Sequence, residues 1–339
     1  FLYFGAANYE AHVYLNGKKL GVHKGGFTPF QFEIDKQLIN GENSVVVKVD
    51  NTRKQDEIPT INTDWWNYGG ITRDVFITET PLSYIADYKI QLSASDRSTV
   101  EGYIQLAGGT STEDVKVQIP ELGISQQVKT DANGKAQIRI PAQKISYWSP
   151  ENPKLYAVTI SSSADIVQDR IGFKYIETKG QDILLNGKSI FLRGISIHDE
   201  NPLLAGRLRS EGDMRMMLQW AKELGCNYVR LAHYPHSEDM VRLADEMGLM
   251  VWAEVPVYWT ISWENPDTYA NAKQQLTDLI DRDKNRSSVI IWSVGNETPL
   301  SEKRHAFMGN LISHARSLDN TRLIAAALEV HRNGTEVIV

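Results

Sequence analysis

The sequence predicts a multidomain β plus α/β protein, with β-sandwiches in its first half and a parallel-sheet α/β unit in its second. Three observations carry that prediction. Over residues 1–178, apolar and polar residues alternate in short runs broken by turn dipeptides, the period-2 mark of half-buried strands. From about residue 180, short apolar runs alternate with stretches of i, i+3, i+4 apolar spacing, which implies strands joined by right-handed helical crossovers. At 339 residues the chain is also too long for one ordinary domain.

Composition narrows the function classes. A hydrophobic content of 42% with 23% charged residues is that of a globular protein. No segment approaches the ~20 apolar residues that span a bilayer, so no membrane partner is expected. A net charge of −6 offers no basic surface for nucleic acid. The single Cys226 cannot form an internal disulfide, and without Cys pairs a structural zinc site is not expected. Phe1 to Gly5 read as the middle of a strand with no charged leader. The chain is therefore expected to begin inside a domain, which leaves a cytoplasmic or periplasmic location undecided. The 8 Trp and 14 Tyr suit carbohydrate handling, because flat amphipathic rings stack on sugars.

In residues 1–81, Ala11 to Leu15 alternates, Asn16-Gly17 is a strong hairpin turn, and Phe30 to Ile34 and Ser44 to Val49 continue the pattern. Asp64-Trp65-Trp66-Asn67-Tyr68-Gly69-Gly70 interrupts it. Either the two Trp cap a core edge, or Asp64 leaves the sandwich to reach a neighbouring domain's site. Pro81 marks a boundary. Residues 82–178 resume the alternation, with about seven strands in ~100 residues, the size of an immunoglobulin-like sandwich. Nothing in that stretch looks catalytic, and it reads as a spacer.

From residue 179 onward, Ile190 to Ile197 is expected to be one strand. Ser210 and Asp213 form a capping box opening a helix whose buried face is Met214, Met217, Leu218, Ala221 and Leu224, with Gly225 ending it. Strands follow at Asn227–Leu231, Leu249–Ala253, Val289–Trp292 and Leu323–Ala327. Helices are expected after Ser237, near 267–284 and near 302–318. Periodicity does not choose between an open doubly wound sheet and a barrel. No glycine-rich phosphate loop follows the first strand, which argues against a nucleotide fold.

In a barrel, the residues after each strand gather at one rim. Here those are His198, Asp199 and Glu200, then His233 and Tyr234, then Glu254, Tyr258 and Trp259, then Asn296 and Glu297. Arg230, inside a strand, needs a carboxylate partner, and Glu254 is the candidate. Carboxylates, amides and aromatics without a metal cluster or phosphate loop suit acid/base chemistry on a polyhydroxylated substrate. Glycoside hydrolysis needs a carboxyl kept protonated by desolvation or by a second carboxylate. Glu297 is the candidate, with Asn296 donating to the sugar 2-hydroxyl.

The run Val289 to Glu297 resembles the acid/base signature of glycoside hydrolase family 2, the β-galactosidase and β-glucuronidase group. Gly26 to Phe30 and Asp64 to Asp74 resemble that family's sugar-binding jelly roll. Trp148 to Tyr156 resembles its immunoglobulin-like domain. Leu192-Arg193-Gly194 with His198, and Arg230 to Pro235, resemble its first barrel strands. The resemblance implies a partial (β/α)8 TIM barrel over residues 179–339, comprising its first five β units. It implies a retaining exo-β-glycosidase with Glu297 as general acid/base. Asn296, His198, His233, Asp64, Arg230, Tyr258 and Trp259 are expected to bind substrate, with Glu254 structural beside them. The family's nucleophile lies on a later strand, and neither Glu329 nor Glu336 has its position. A non-catalytic sugar-binding fragment is the alternative. The expected partner is an oligosaccharide or glycoconjugate, with no cofactor or required metal, and the resemblance leaves a homo-oligomer open.

Overall fold

The computed structural model describes residues 1–109 and 112–329. Near the N-terminus, Glu10–Leu15 is the central strand between Lys18–Lys24 and Val45–Asp50. Its odd and even positions alternate between partly and fully buried, as a strand with one face on a core requires. Asn16 and Gly17 both take positive φ, 51° and 78°, the pattern of a tight two-residue hairpin turn. A second sheet places Leu2–Phe4 between Phe30–Phe32 and Val75–Ile77. Leu2, Phe4, Val13, Leu15 and Ile34 close the core between the sheets. The strand expected over Phe30 to Ile34 stops at Phe32, and Ile34 leads into the 3-10 turn Asp35–Gln37 while its side chain stays buried.

The next layer pair has three strands facing four. Lys135–Pro141, Thr99–Ala107 and Tyr84–Leu92 form one antiparallel sheet. Ile124–Lys129, Asp114–Ile119, Tyr156–Ser161 and Ile166–Ile171 form the other. Inward residues such as Ile90, Ile104, Val117, Ile138 and Val158 fill the space between them.

Five strands then run parallel in strictly sequential order: Gly194–Ile197, Tyr228–Leu231, Met250–Glu254, Val289–Thr298 and Leu323–Leu328. Sequential order is that of a (β/α)8 barrel, whereas a doubly wound sheet reverses direction part-way. Helices α1 (Glu211–Glu223), α2 (Glu238–Met247), α3 (Pro266–Asp283) and α4 (Glu302–Leu318) make the crossovers. The capping box is present: Asp213 N donates to Ser210 Oγ at 3.1 Å, and Ser210 N donates to Asp213 Oδ2 at 3.1 Å. No described helix is long and apolar enough to cross a membrane.

Three expectations need correction. Leu224 does not belong to the buried face of α1: it is 71% exposed, while Met214, Leu218 and Ala221 are buried. At about 100° per residue, Leu224 lies roughly 80° round the helix from that face, and Met217 is only partly buried. Ile190 to Ile197 is not one strand. Lys188–Ile190 pairs antiparallel with Asp182–Leu185, and the parallel sheet starts at Gly194. Between them Asn227 receives a hydrogen bond from Arg193 N and donates one to Phe191 O, which turns the chain. The fourth strand does not end at Trp292. It continues to Thr298 because Ser293, Asn296 and Thr298 still find partners in Ala325, Ala327 and Leu328.

The approach to that fourth strand is bolted to the second sandwich. Lys284 to Ser288 are all buried. Asn285 accepts from Ile90 N at 2.8 Å and donates to Tyr88 O at 2.9 Å. Arg286 pairs with Asp169, and Trp148 Nε1 donates to Asp245 O at 2.8 Å.

Candidate active site

Glu254 ends the third strand and is 0% exposed. Its carboxylate accepts from Arg230 Nε and Nη2 (3.1 and 2.9 Å), His233 Nδ1 (2.7 Å), Trp252 Nε1 (3.0 Å) and Ser293 Oγ (3.1 Å). Burial opposes its charge, but the His233 hydrogen bond and the Arg230 charge outweigh burial and hold the carboxyl below its ordinary range. A buried charge this well partnered is an anchor. It fixes His233 with Nδ1–H donating, so that Nε2 is the ring nitrogen left for another partner.

Arg230 also donates from Nη2 to Asn296 Oδ1 at 2.5 Å. Its guanidinium is thereby committed to Glu254 and Asn296. Asn296 is 2% exposed, and its Nδ2 has no hydrogen-bond acceptor among the described residues. A buried donor left unpaired costs about 1–3 kcal/mol, which a ligand oxygen would recover.

Glu297 follows with φ 48°, and Trp259 has φ 52°. Left-handed backbone at non-glycine residues costs on the order of 1–3 kcal/mol each. Backbone pairing holds both in place: Asn296 N donates to Val257 O at 2.8 Å, and Trp259 N donates to Asn296 O at 3.1 Å. The result is a hydrogen bond from Trp259 Nε1 to Glu297 Oε2 at 3.0 Å. The desolvation expected at Glu297 is not found among the described residues. The side chain is exposed, because its strand turns it away from the buried row that ends at Asn296.

Opposite Glu254, the loop from the first sandwich enters the rim. Trp65 is buried, with ring centroids 4.9 Å from Tyr258, 5.2 Å from Tyr234, 6.1 Å from His233 and 6.2 Å from His198. Asp64 is exposed beside it and near the hydroxyl of the buried Tyr258. Burial, with that carboxylate next, pushes the Tyr258 hydroxyl well above its ordinary range. The His198 and His233 rings stand 5.3 Å apart. Burial, and then His233, press His198 below the ordinary imidazole value, which favours its neutral form. Donor atoms of Asp64, His198 and His233 all lie within 4.8 Å of one another.

The structure thus gathers Asp64, His198, Arg230, His233, Glu254, Tyr258, Trp259, Asn296 and Glu297 at one end of the parallel sheet. Glu329 is exposed directly after the last described strand, and Glu336 lies outside the described residues.

Family comparison covers nearly all of this chain. Residues 176–339 match the TIM barrel domain of glycosyl hydrolases family 2, residues 1–81 its sugar binding domain, and residues 83–174 a further region of the same family. The chain belongs to glycosyl hydrolases family 2. Within family 2, it is 31% identical to a putative beta-glucuronidase of Formosa agariphila, over 99% of this chain and 43% of that protein. It is 29% identical to a beta-galactosidase of Streptococcus thermophilus, over 95% of this chain and 33% of that protein. A crystal structure of a family 2 beta-galacturonidase from Eisenbergiella tayi superposes with TM-score 0.85 at 26% identity, over 96% of this chain and 61% of that one. The chain therefore spans less than two thirds of the length of each of these relatives.

Several site residues of this family 2 chain were not singled out by sequence reasoning. Trp65 is the centre of the aromatic cluster, in which Tyr234, expected at the rim, lies with its hydroxyl 3.4 Å from His198 Nδ1 and 3.2 Å from Asp199 N. Trp252 and Ser293 complete the shell of Glu254. An aromatic next to Asp64 and a Ser one turn of ladder below Asn296 were the available signals, but each is an ordinary strand or loop residue until the fold brings it to the rim.

Proposed function

We propose that this chain is the sugar-binding and proton-donating part of a retaining exo-β-glycosidase, one that removes terminal β-linked sugars of the galactoside or glucuronide type from an oligosaccharide or glycoconjugate. We divide it into a sugar-binding sandwich over 1–81, an immunoglobulin-like sandwich over 82–178 and the barrel from 179. The observation that carries the reading is the adjacent pair at the end of the fourth strand. Asn296 has its oxygen anchored by Arg230 and its Nδ2 unspent, while Glu297 has one oxygen fixed by Trp259 and is open to the rim.

In this proposal Glu297 protonates the glycosidic oxygen as the bond to the sugar breaks. Trp259 holds Oε2, so the proton is carried on Oε1. Asn296 Nδ2 donates to the sugar 2-hydroxyl, a contact that strengthens in the transition state. His198, His233 and Asp64 bind the remaining hydroxyls. In the second half of the reaction the Glu297 carboxylate takes a proton from the attacking water. Double displacement requires a second carboxyl about 5–5.5 Å from the first, and we assign that role to no described residue.

The test is Glu297→Gln in the whole protein, assayed on aryl β-galactosides and β-glucuronides with good and poor leaving groups. Turnover is expected to fall about 10²–10⁴-fold for poor leaving groups and much less for good ones. Equal losses on both would defeat the proton-donor assignment.

A further inference from the structure

We infer that Asp64, His198 and His233 form a binding site for a first-row transition-metal ion of the zinc or cobalt class, and that an ion bound there blocks the pocket. The blocking role rests on the sugar-site reading above, whereas the metal site itself does not.

The donor set is two imidazoles and one carboxylate, drawn from the sandwich loop and from the ends of two barrel strands. Their donor atoms lie within 4.8 Å of one another. A tetrahedral zinc ion with bonds of about 2.0–2.1 Å spaces its ligand atoms roughly 3.3–3.4 Å apart, so the three groups need to close by at most about 1.5 Å. Two imidazoles and a carboxylate suit zinc and cobalt, and they discriminate against the hard all-oxygen ions.

Each histidine is already held from behind. His233 gives Nδ1–H to Glu254 at 2.7 Å, which leaves Nε2 as the ligand atom and builds the carboxylate–imidazole–metal relay found behind most metal-bound histidines. His198 Nδ1 lies 3.4 Å from the Tyr234 hydroxyl. Asp64 lies beside the Tyr258 hydroxyl. Local charge also favours a cation. The Arg230 guanidinium is matched by Glu254 at 2.9 Å, and the carboxylates of Asp64, Glu200 and Glu297 lie at this rim, with the Arg53 guanidinium 5.5 Å from the Trp65 ring. An ion on these three donors takes the atoms that sugar hydroxyls would use, so metal and saccharide exclude one another.

The experiment is titration of the chelator-treated protein with Co²⁺ alone, followed by visible d–d absorption. One equivalent is expected to give an absorption band that added Zn²⁺ abolishes. His233→Gln and Asp64→Asn should each weaken Co²⁺ binding by at least tenfold, and Glu254→Gln, one shell further out, by about 10–100-fold. Asp64 is exposed on a loop, so Asp64→Asn retains the fold even where a histidine variant does not, and circular dichroism checks this. No stoichiometric band, or a band of unchanged affinity in Asp64→Asn, overturns the metal site. For the blocking role, D-galactose or D-glucuronate should displace the band. If calorimetry shows saccharide binding to the metal-free protein while the band persists, the blocking role is overturned. If calorimetry shows no saccharide binding, the sugar-site reading fails instead, and the Co²⁺ result stands by itself.

Discussion

Glu254 receives five hydrogen bonds from Arg230, His233, Trp252 and Ser293. Glu254→Gln would remove the negative charge and leave Arg230 without its counter-ion, at a cost of about 3–5 kcal/mol, readable as a lower urea midpoint. Its contribution has a defined pH window. The folded carboxyl titrates below the ordinary value of 4.5, so the stabilisation is complete above about that pH and is lost as pH falls through the lower folded value. His236 acts over a different range. It is buried, donates to Ala232 O at 2.9 Å, and burial lowers its pKa from 6.5 to about 4. As pH drops below 6.5, the unfolded chain takes up a proton that the folded chain refuses. Stability should fall by on the order of 3 kcal/mol by pH 4. Urea unfolding of His236→Gln at a series of pH values between 7 and 4 should show a shallower decline than the parent. At this scale the barrel's part of the polar rim was legible as residue types, because His198, His233 and Glu297 follow strands where a barrel keeps its chemistry, whereas Asp64 comes from a sandwich loop. The aromatic floor was not legible. Trp65 and Tyr234 meet only through the docking of two separate parts of the chain.

Among the elements, local signals were the most readable. The Ser210–Asp213 box and Gly225, with φ 78°, frame α1 through contacts a few residues apart, so sequence suffices. Which residues α1 buries depends on what it packs against, and Leu224 shows the limit. Leu218→Ala should cost about 2–5 kcal/mol, while Leu224→Ala should stay within about 0.5 kcal/mol, as thermal unfolding of the two variants would show. The full length of Val289–Thr298 was hidden because Ser293 to Glu297 look like a loop. Their ladder partners, Ala325 and Ala327, lie on another strand. Gly295 is required there: a Cβ would stand 2.7 Å from Met308 Cε and 3.1 Å from Val257 O. The Met308 end can move, but the Val257 carbonyl is backbone and belongs to the segment that presents Trp259. Gly295→Ala should therefore destabilise by about 1–3 kcal/mol. It should also loosen the Trp259–Glu297 contact, seen as altered indole fluorescence.

At the scale of the whole molecule, the first sandwich and the barrel meet through a buried charge cluster. Arg73 donates to Asp199 at 3.1 Å and to Pro235 O at 2.7 Å. Arg207, 5% exposed, lies 3.7 Å from Asp199 and is enclosed by the rings of Phe27, Tyr68 and Tyr234. Burial notwithstanding, Arg73, His236 and Arg207 hold the Asp199 carboxyl below its ordinary range. Arg207→Met should keep the packing but remove the charge that faces Asp199. The expected result is a loss of stability that is full between pH 5 and 7 and narrows as pH falls through the low folded value of Asp199, and that Arg207→Lys largely restores, measured by unfolding across pH 3–7.

The second sandwich grips the barrel at the buried turn Lys284 to Ser288, among other contacts. That grip sets an order of events in time. Asn285 can satisfy Ile90 N and Tyr88 O only after the Tyr84–Leu92 strand exists, and those partners are 195 and 197 residues away. Contacts of such long range are slow to close, and during synthesis the N-terminal units fold first. The sandwich is then a finished template when Val289 to Thr298 arrives, and the strand bearing Glu297 is cast against it. A fault in the sandwich would be felt as a late, misplaced Glu297 strand, even though no described residue of the sandwich lies at the rim.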